Sequence, residues 1–297
     1  MNIIWANKLN SLFVGRKSRV LTVDISPREA MKYSAGIYET HPVFYDDRVY
    51  PLLVHPMYAV ALTWKISSRF DEYWDTAGFP LDVLERQVHY LEELRWYQPF
   101  YAGETLHIQG EVKAIVPHLS GTLLWIDYIA RNMKDEIVFI EGLGALLRDI
   151  PCEDDGKGKE LFFRNIKIDR QNERTLWEEK IYIQSMDPLI YDACSDIHFP
   201  IHTSWAFSQK VGLSAPVYQG TATLSQSVRK IFEHGFSPTQ TRIKYLYARF
   251  SSFVYGGDTL TIRVFKDESN INDKLYFEIK TPRNDYAIKN GIIIFGK

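Results

Sequence analysis

The chain has 297 residues, 45% of them hydrophobic and 24% charged, with a formal net charge of −2. Such a chain can bury a sizeable core as one large domain or two. The near-neutral balance gives no bulk electrostatic attraction to nucleic acid or to an anionic membrane. The longest apolar runs, such as 292–295, are far too short to span a bilayer. Two cysteines, Cys152 and Cys194, provide no disulfide framework and suit a reducing compartment. The expected location is therefore cytoplasmic, with no nucleic-acid or membrane partner.

Residues 1–19 carry no clear pattern beyond an arm or short helix. Alternation predicts a strand over 19–25, and Ser26-Pro27 opens a helix over 28–34. The stretch 56–68 is apolar on nearly every side, which predicts a buried helix. Strands are predicted over 84–97, from 103 to 112, over 122–132 and over 137–147. Residues 149–160 combine Pro151, Glu153-Asp154-Asp155, Gly156 and Gly158, a linker composition. The charged run to 178 shows no period, and 180–184 is the next strand candidate. A helix is predicted over 222–233, then strands over 242–250, 259–265, 274–280 and 286–295.

The two halves repeat. Tyr101-Ala102-Gly103-Glu104-Thr105-Leu106-His107-Ile108 matches Tyr255-Gly256-Gly257-Asp258-Thr259-Leu260-Thr261-Ile262, 154 positions on. Glu39-Thr40-His41-Pro42-Val43-Phe44 parallels 196–202 if Phe199 is an extra residue, which pairs His41 with His198 and Phe44 with His202. Pro56 stands where the second half has Gly220. A repeat of strand, motif loop, buried helix and antiparallel sheet favours duplication over one ordinary α+β layer pair.

The stretch 191–204 concentrates the chemistry. Asp196, His198 and His202 flank Pro200, which fixes its own φ and keeps Phe199 out of helical conformation. A loop is therefore expected throughout, with an acid and a base in reach of one water. Gly220 and Thr221 would begin the following helix, where free backbone N–H groups can face a developing oxyanion. A metal site on His198 and His202 is disfavoured, because Pro200 breaks the helix that would align them and no further ligand is evident. Cys194 reads as an inert buried thiol rather than the partner of His202 in a nucleophilic pair. Neither a GxSxG nor a Walker-type phosphate loop occurs.

The order acid, proline, Ile-His-Thr, then Gly-Leu, then Gln-Gly-Thr and a helix resembles the MaoC-like (hydratase 2) dehydratases. Their pattern is Asp-x-Asn-Pro-x-His; here Asp196 lies six residues before His202 instead of five, and His198 takes the asparagine's place. The resemblance implies an α+β double hot-dog, two tandem repeats that each wrap an antiparallel sheet around a central helix. The repeats would be residues 1–150, non-catalytic and substrate-binding, and residues 179–297, catalytic, joined by a linker over 151–178. It also implies reversible hydration of a 2-enoyl-CoA to an (R)-3-hydroxyacyl-CoA without a cofactor or metal. Asp196, with Asp192 as its nearest rival, and His202 would handle the water, and the Gly220 N–H the thioester oxygen. His198, Gln219, Thr221, His55 and Tyr38 are the candidate substrate-binding residues, and a homodimer is left open. The alternatives are a hot-dog thioesterase and a non-catalytic acyl-thioester-binding subunit.

Overall fold

The computed structural model describes residues 8–48, 51–162, 172–239, 241–267 and 274–296. The first half runs β1 (Leu21–Asp24), α1 (Pro27–Gly36), α2 (Ala59–Ser67), α3 (Phe70–Tyr73), β2 (Gln87–Trp96), β3 (Thr105–His118), β4 (Gly121–Arg131) and β5 (Ile137–Arg148). The second runs β6 (Glu173–Tyr182), α4 (Asp187–Ser195), α5 (Trp205–Lys210), β7 (Val217–Tyr218), α6 (Gly220–Glu233), β8 (Arg242–Phe250), β9 (Val254–Tyr255), β10 (Thr259–Asp267), β11 (Lys274–Lys280) and β12 (Tyr286–Gly296).

Among the described residues, ten strands form one antiparallel sheet in the order β1-β3-β4-β5-β2-β8-β12-β11-β10-β6. Each half contributes five, and the second set is the first in mirror order. The halves join at β2 and β8, where Leu91 pairs with Arg249 and Leu94 with Leu246. Two sheets have thus become one, with a central helix against each half.

α2 buries Ala59, Val60, Ala61, Leu62, Thr63 and Ile66, as a helix that is apolar all round must. α6 reaches the same place by another route. Its buried Thr223, Ser225 and Ser227 turn their hydroxyls back onto the carbonyls of Gln219, Thr221 and Thr223, so none of these three hydroxyls is left without a partner.

The repeat is visible in backbone detail. Thr105 and Thr259 begin β3 and β10, the two long strands after the matched turns. In each turn a carboxylate caps the chain: the Tyr101 N–H donates to Glu104 at 3.0 Å, and the Tyr255 N–H to Asp258 at 2.9 Å. Gly103 (φ 93°) and Gly257 (φ 96°) occupy the left-handed bend, which a side chain would strain.

Three expectations need correction. The segment 191–204 is not loop throughout, because α4 continues through Ser195 and ends on Asp196 in left-handed conformation. β6 begins at Glu173, within the run taken as linker. Residues 151–162 do not hang free: Lys157 bridges Ile115 and Cys152 bridges Leu9, while Phe162 packs edge-on against Trp125 across the outer face of the sheet.

The third concerns the motif register. The 3-10 turns Pro42–Phe44 and Pro200–His202 correspond. Four positions before each proline lies a left-handed residue, Tyr38 (φ 57°) and Asp196 (φ 58°). Five before those stand Tyr33 and Tyr191, whose hydroxyls lie 3.3 Å apart. Phe44 is therefore the counterpart of His202, as expected, but without an inserted Phe199. Tyr38 matches Asp196, and His41 matches Phe199 rather than His198.

Candidate functional site

A cavity of about 500 Å³ lies between the halves. The second half supplies His202, Tyr218, Gln219, Gly220, Thr221 and Phe250 to its wall; the first half supplies Trp64, His89 and Glu141. Apolar side chains, among them Val60, Leu143, Ile201 and Ile288, share the remainder with polar and charged ones that include Arg148 and Arg249.

His202 ends its 3-10 turn with Nδ1 at 2.8 Å from the Val217 carbonyl oxygen. A carbonyl can only accept, so Nδ1 carries the proton. Burial lowers the ring's pKa to about 4, against the smaller opposing effects of the Val217 bond and the Asp192 charge. At neutral pH the imidazole is uncharged, and Nε2 holds the free lone pair. That is the electronic state of a general base.

Gly220 opens α6, after Gln219 as N-cap and with no side chain capping the helix. Its first N–H groups, unsatisfied within the helix, lie on the cavity wall with a partial positive charge. Glycine fits closely here: a Cβ on Gly220 would sit 3.0 Å from the Phe250 ring, which would have to give way. Gln219 donates through Nε2 to Pro188 O at 3.1 Å, tying α6 to α4. Thr221 accepts from the Tyr191 hydroxyl at 3.2 Å, and Tyr33 reaches Ser225 at 2.8 Å. A buried hydroxyl network thus fixes the start of α6.

The structure does not bring the remaining expected residues to this cavity. Asp196 points to Lys32 at 3.5 Å, with 42% of its side chain exposed. Asp192, on α4, is only 14% exposed and holds His198 Nδ1 at 2.7 Å, while His198 is 64% exposed. Tyr38 donates to Asp187 at 2.6 Å. His55 is buried in the first half, its Nε2 3.5 Å from the Glu39 carboxylate. Burial and the Arg229 charge lower its pKa to about 3. The cavity residues that sequence reading missed, Trp64, His89, Glu141, Tyr218 and Phe250, come from elements that only the folded sheet brings together. Among the described residues, no group of three or more His, Cys, Asp or Glu side chains forms a metal site.

Comparison with known proteins agrees with this layout. Residues 167–285 match the model of the MaoC like domain, and residues 12–140 match that of the FAS1-like, dehydratase domain region. The chain has the double hot-dog fold, with a MaoC-like domain over residues 167–285. A MaoC-like dehydratase from Phytophthora capsici superposes with TM-score 0.79 at 20% identity, covering 97% of this chain and 98% of that one. A Mycobacterium tuberculosis protein with a double hot-dog fold superposes with TM-score 0.59 at 13% identity, over 96% of both chains. In sequence, the chain is similar to enoyl-CoA hydratase ChsH3 of M. tuberculosis, at 28% identity over 34% of this chain and 33% of that protein. The matched region spans about a third or less of the length of the curated relatives. His202, Gly220 and their supports, apart from Tyr33, lie in the part that matches the MaoC-like domain. No helix among the described residues is long and apolar enough to cross a membrane.

Proposed function

We propose that the protein hydrates a 2-enoyl thioester reversibly to the 3-hydroxyacyl thioester, with coenzyme A as the carrier. One observation carries this reading. A neutral imidazole with its Nδ1–H committed to Val217 shares a cavity wall with the uncapped N-terminus of α6. The first can take a proton from water, and the second can hold the negative charge that the thioester oxygen gains as water adds to the β-carbon. In the reverse direction the same two groups serve dehydration.

In this mechanism His202 Nε2 accepts the water's proton as oxygen attacks the β-carbon, and that proton equivalent is delivered to the α-carbon. The Gly220 N–H donates to the enolate-like oxygen throughout. Asp192 sits behind the motif, where its charge favours the protonated form of His202 as the proton arrives. Asp196, linked to Lys32, holds the α4 terminus. The similarity to proteins named enoyl-CoA hydratase supports the thioester class. The free thiols Cys152 and Cys194 fit a cytoplasmic setting.

Incubating the protein with crotonyl-CoA tests the reading. Loss of enoyl absorbance without free thiol supports it. Release of thiol identifies a thioesterase instead, and neither change identifies a binding subunit.

A further inference from the structure

The wall of the cavity opposite His202 in sequence origin, the part built by the first half, is not the apolar lining a plain alkyl chain would need. Glu92 on β2 and Glu141 on β5 are diagonal neighbours on one face, because Glu92 pairs with Leu143 and Leu94 with Glu141. Both residues are fully buried. Glu141 contacts the Thr63 hydroxyl and the Glu92 carboxyl. His89 Nε2 lies 3.0 Å from Glu92 and 3.1 Å from the Leu91 carbonyl oxygen, to which it donates.

Besides both oxygens of Glu92, which does not line the cavity, two polar atoms of this cluster have no hydrogen-bond partner among the described residues. They are Glu141 Oε2 and Trp64 Nε1, both buried, and both residues line the cavity. Burial raises the Glu141 carboxyl well above the usual carboxylate range, and the neighbouring Glu92 raises it further. Glu92 is raised by burial as well. Burial therefore favours the uncharged form of this cluster. It presents one indole N–H donor, and a carboxyl that can accept or donate.

We infer that Trp64 and Glu141 form a subsite for a hydroxyl group on the acyl chain of the substrate, remote from the reacting carbons. A hydroxyl accepts from the Trp64 N–H and donates to Glu141 Oε2, which satisfies both orphaned atoms together. An alkyl chain satisfies neither, and buried polar groups left unpaired in this way penalise binding. The preferred substrate class is then a hydroxylated acyl thioester. This rests on the reading of the cavity as a thioester site.

The test compares two saturated acyl-CoA esters of equal length, one hydroxylated along its tail and one plain alkyl, by titration calorimetry at pH 7. A series with the hydroxyl at successive carbons locates the subsite. At the best position the hydroxylated ester should bind at least about 10-fold tighter than the alkyl ester. Glu141→Leu should abolish or reverse that ratio with the circular dichroism spectrum unchanged. Trp64→Phe, a milder change, should reduce the ratio and serves if Glu141→Leu does not fold. Equal binding of the two esters by the wild type at every position, or a ratio unchanged in the folded variants, overturns the inference. Because binding is read without turnover, the result is separate from the crotonyl-CoA assay. Failure of that assay removes the hydratase reading, whereas failure here removes only the hydroxyl subsite.

Discussion

Phe44 and His202 hold the same place in the two halves, each closing the 3-10 turn that follows a proline. The Phe44 ring lies 5.0 Å from His55 and 6.0 Å from Phe232, so aromatic packing fills the position that holds an imidazole in the second half. Val54 and Pro56 stand where Tyr218 and Gly220 stand, since the Leu53–Tyr101 bridge repeats the Val217–Tyr255 pair. Pro56 has no N–H to offer an oxyanion. The cavity beside Phe44 is about 220 Å³, less than half the other.

One active site per chain follows from those two differences. Titration with a tight-binding enoyl-thioester analogue should saturate at one equivalent per chain. Phe44→His should leave both the stoichiometry and the activity essentially unchanged, because the donor is still missing. Saturation at two equivalents would count against the assignment.

Replacement of His202 by alanine should lower kcat by at least about 10²-fold, the scale of one general acid–base group, with the fold intact. In the wild type, the fall of kcat/KM on the acid side should centre near pH 4, where burial places this imidazole. The sign for stability follows from the same lowered value. An unfolded histidine takes up its proton near pH 6.5, before the folded one does, so His202 withdraws stability as pH drops from about 6.5 toward 4. Thermal melts of wild type and His202→Ala should therefore diverge over that interval, with the wild type losing more. An acid limb centred near 6.5 would refute the buried, neutral base.

The two motif acids should separate. Asp192 acts on His202 through its charge, and Asp196 sits at a half-exposed helix end beside Lys32. Asp192→Asn should lower kcat several-fold or more and shift the acid limb downward. Asp196→Asn should act mainly on stability. A larger kcat loss in Asp196→Asn, with Asp192→Asn near wild type, would return the catalytic role to Asp196.

Gly220→Ala should lower kcat/KM, because the new methyl meets the Phe250 ring at 3.0 Å and forces either the ring or the helix start to move. Overpacking of this kind costs about 1–3 kcal/mol. Adding Phe250→Leu should recover a good part of the stability. Recovery of activity along with it would show that the N–H had only been displaced, whereas no response to the second change would place the defect elsewhere.

Much of the architecture could be read from the residues. The apolar run around Leu62 identified one central helix, Gly220 the start of the other, and Tyr101 and Tyr255 the duplicated turn. Phe44 opposite His202 was legible too, since each stands two positions after a proline. What stayed hidden has physical causes. Among the described residues β6 is an edge strand that pairs only with β10, and its charged, largely exposed side chains do not alternate as those of a half-buried strand do. α4 extends through Asp192-Ala193-Cys194-Ser195, where only Ala193 favours a helix; tertiary contact with α1 overrides the weak propensities of the other three, the two helices packing so closely that a Cβ on Gly36 would lie 2.6 Å from that of Cys194. The likeness of Glu39 and His41 to Asp196 and His198 suggested an inserted Phe199, and only the backbone shows the loops to be of equal length. Glu92 and Glu141 lie far apart in the chain and meet only through strand register.

The ladder between β2 and β8 has a genetic consequence. In a dimer of identical chains every substitution appears at both sites, so a residue that improves one pocket is imposed on its twin. Here the two copies are encoded separately and yet share one sheet. A phenylalanine could replace the base in one copy, and a proline the glycine, while the other copy kept both. The ancestral symmetry survives in the backbone, and the side chains are free to diverge from it.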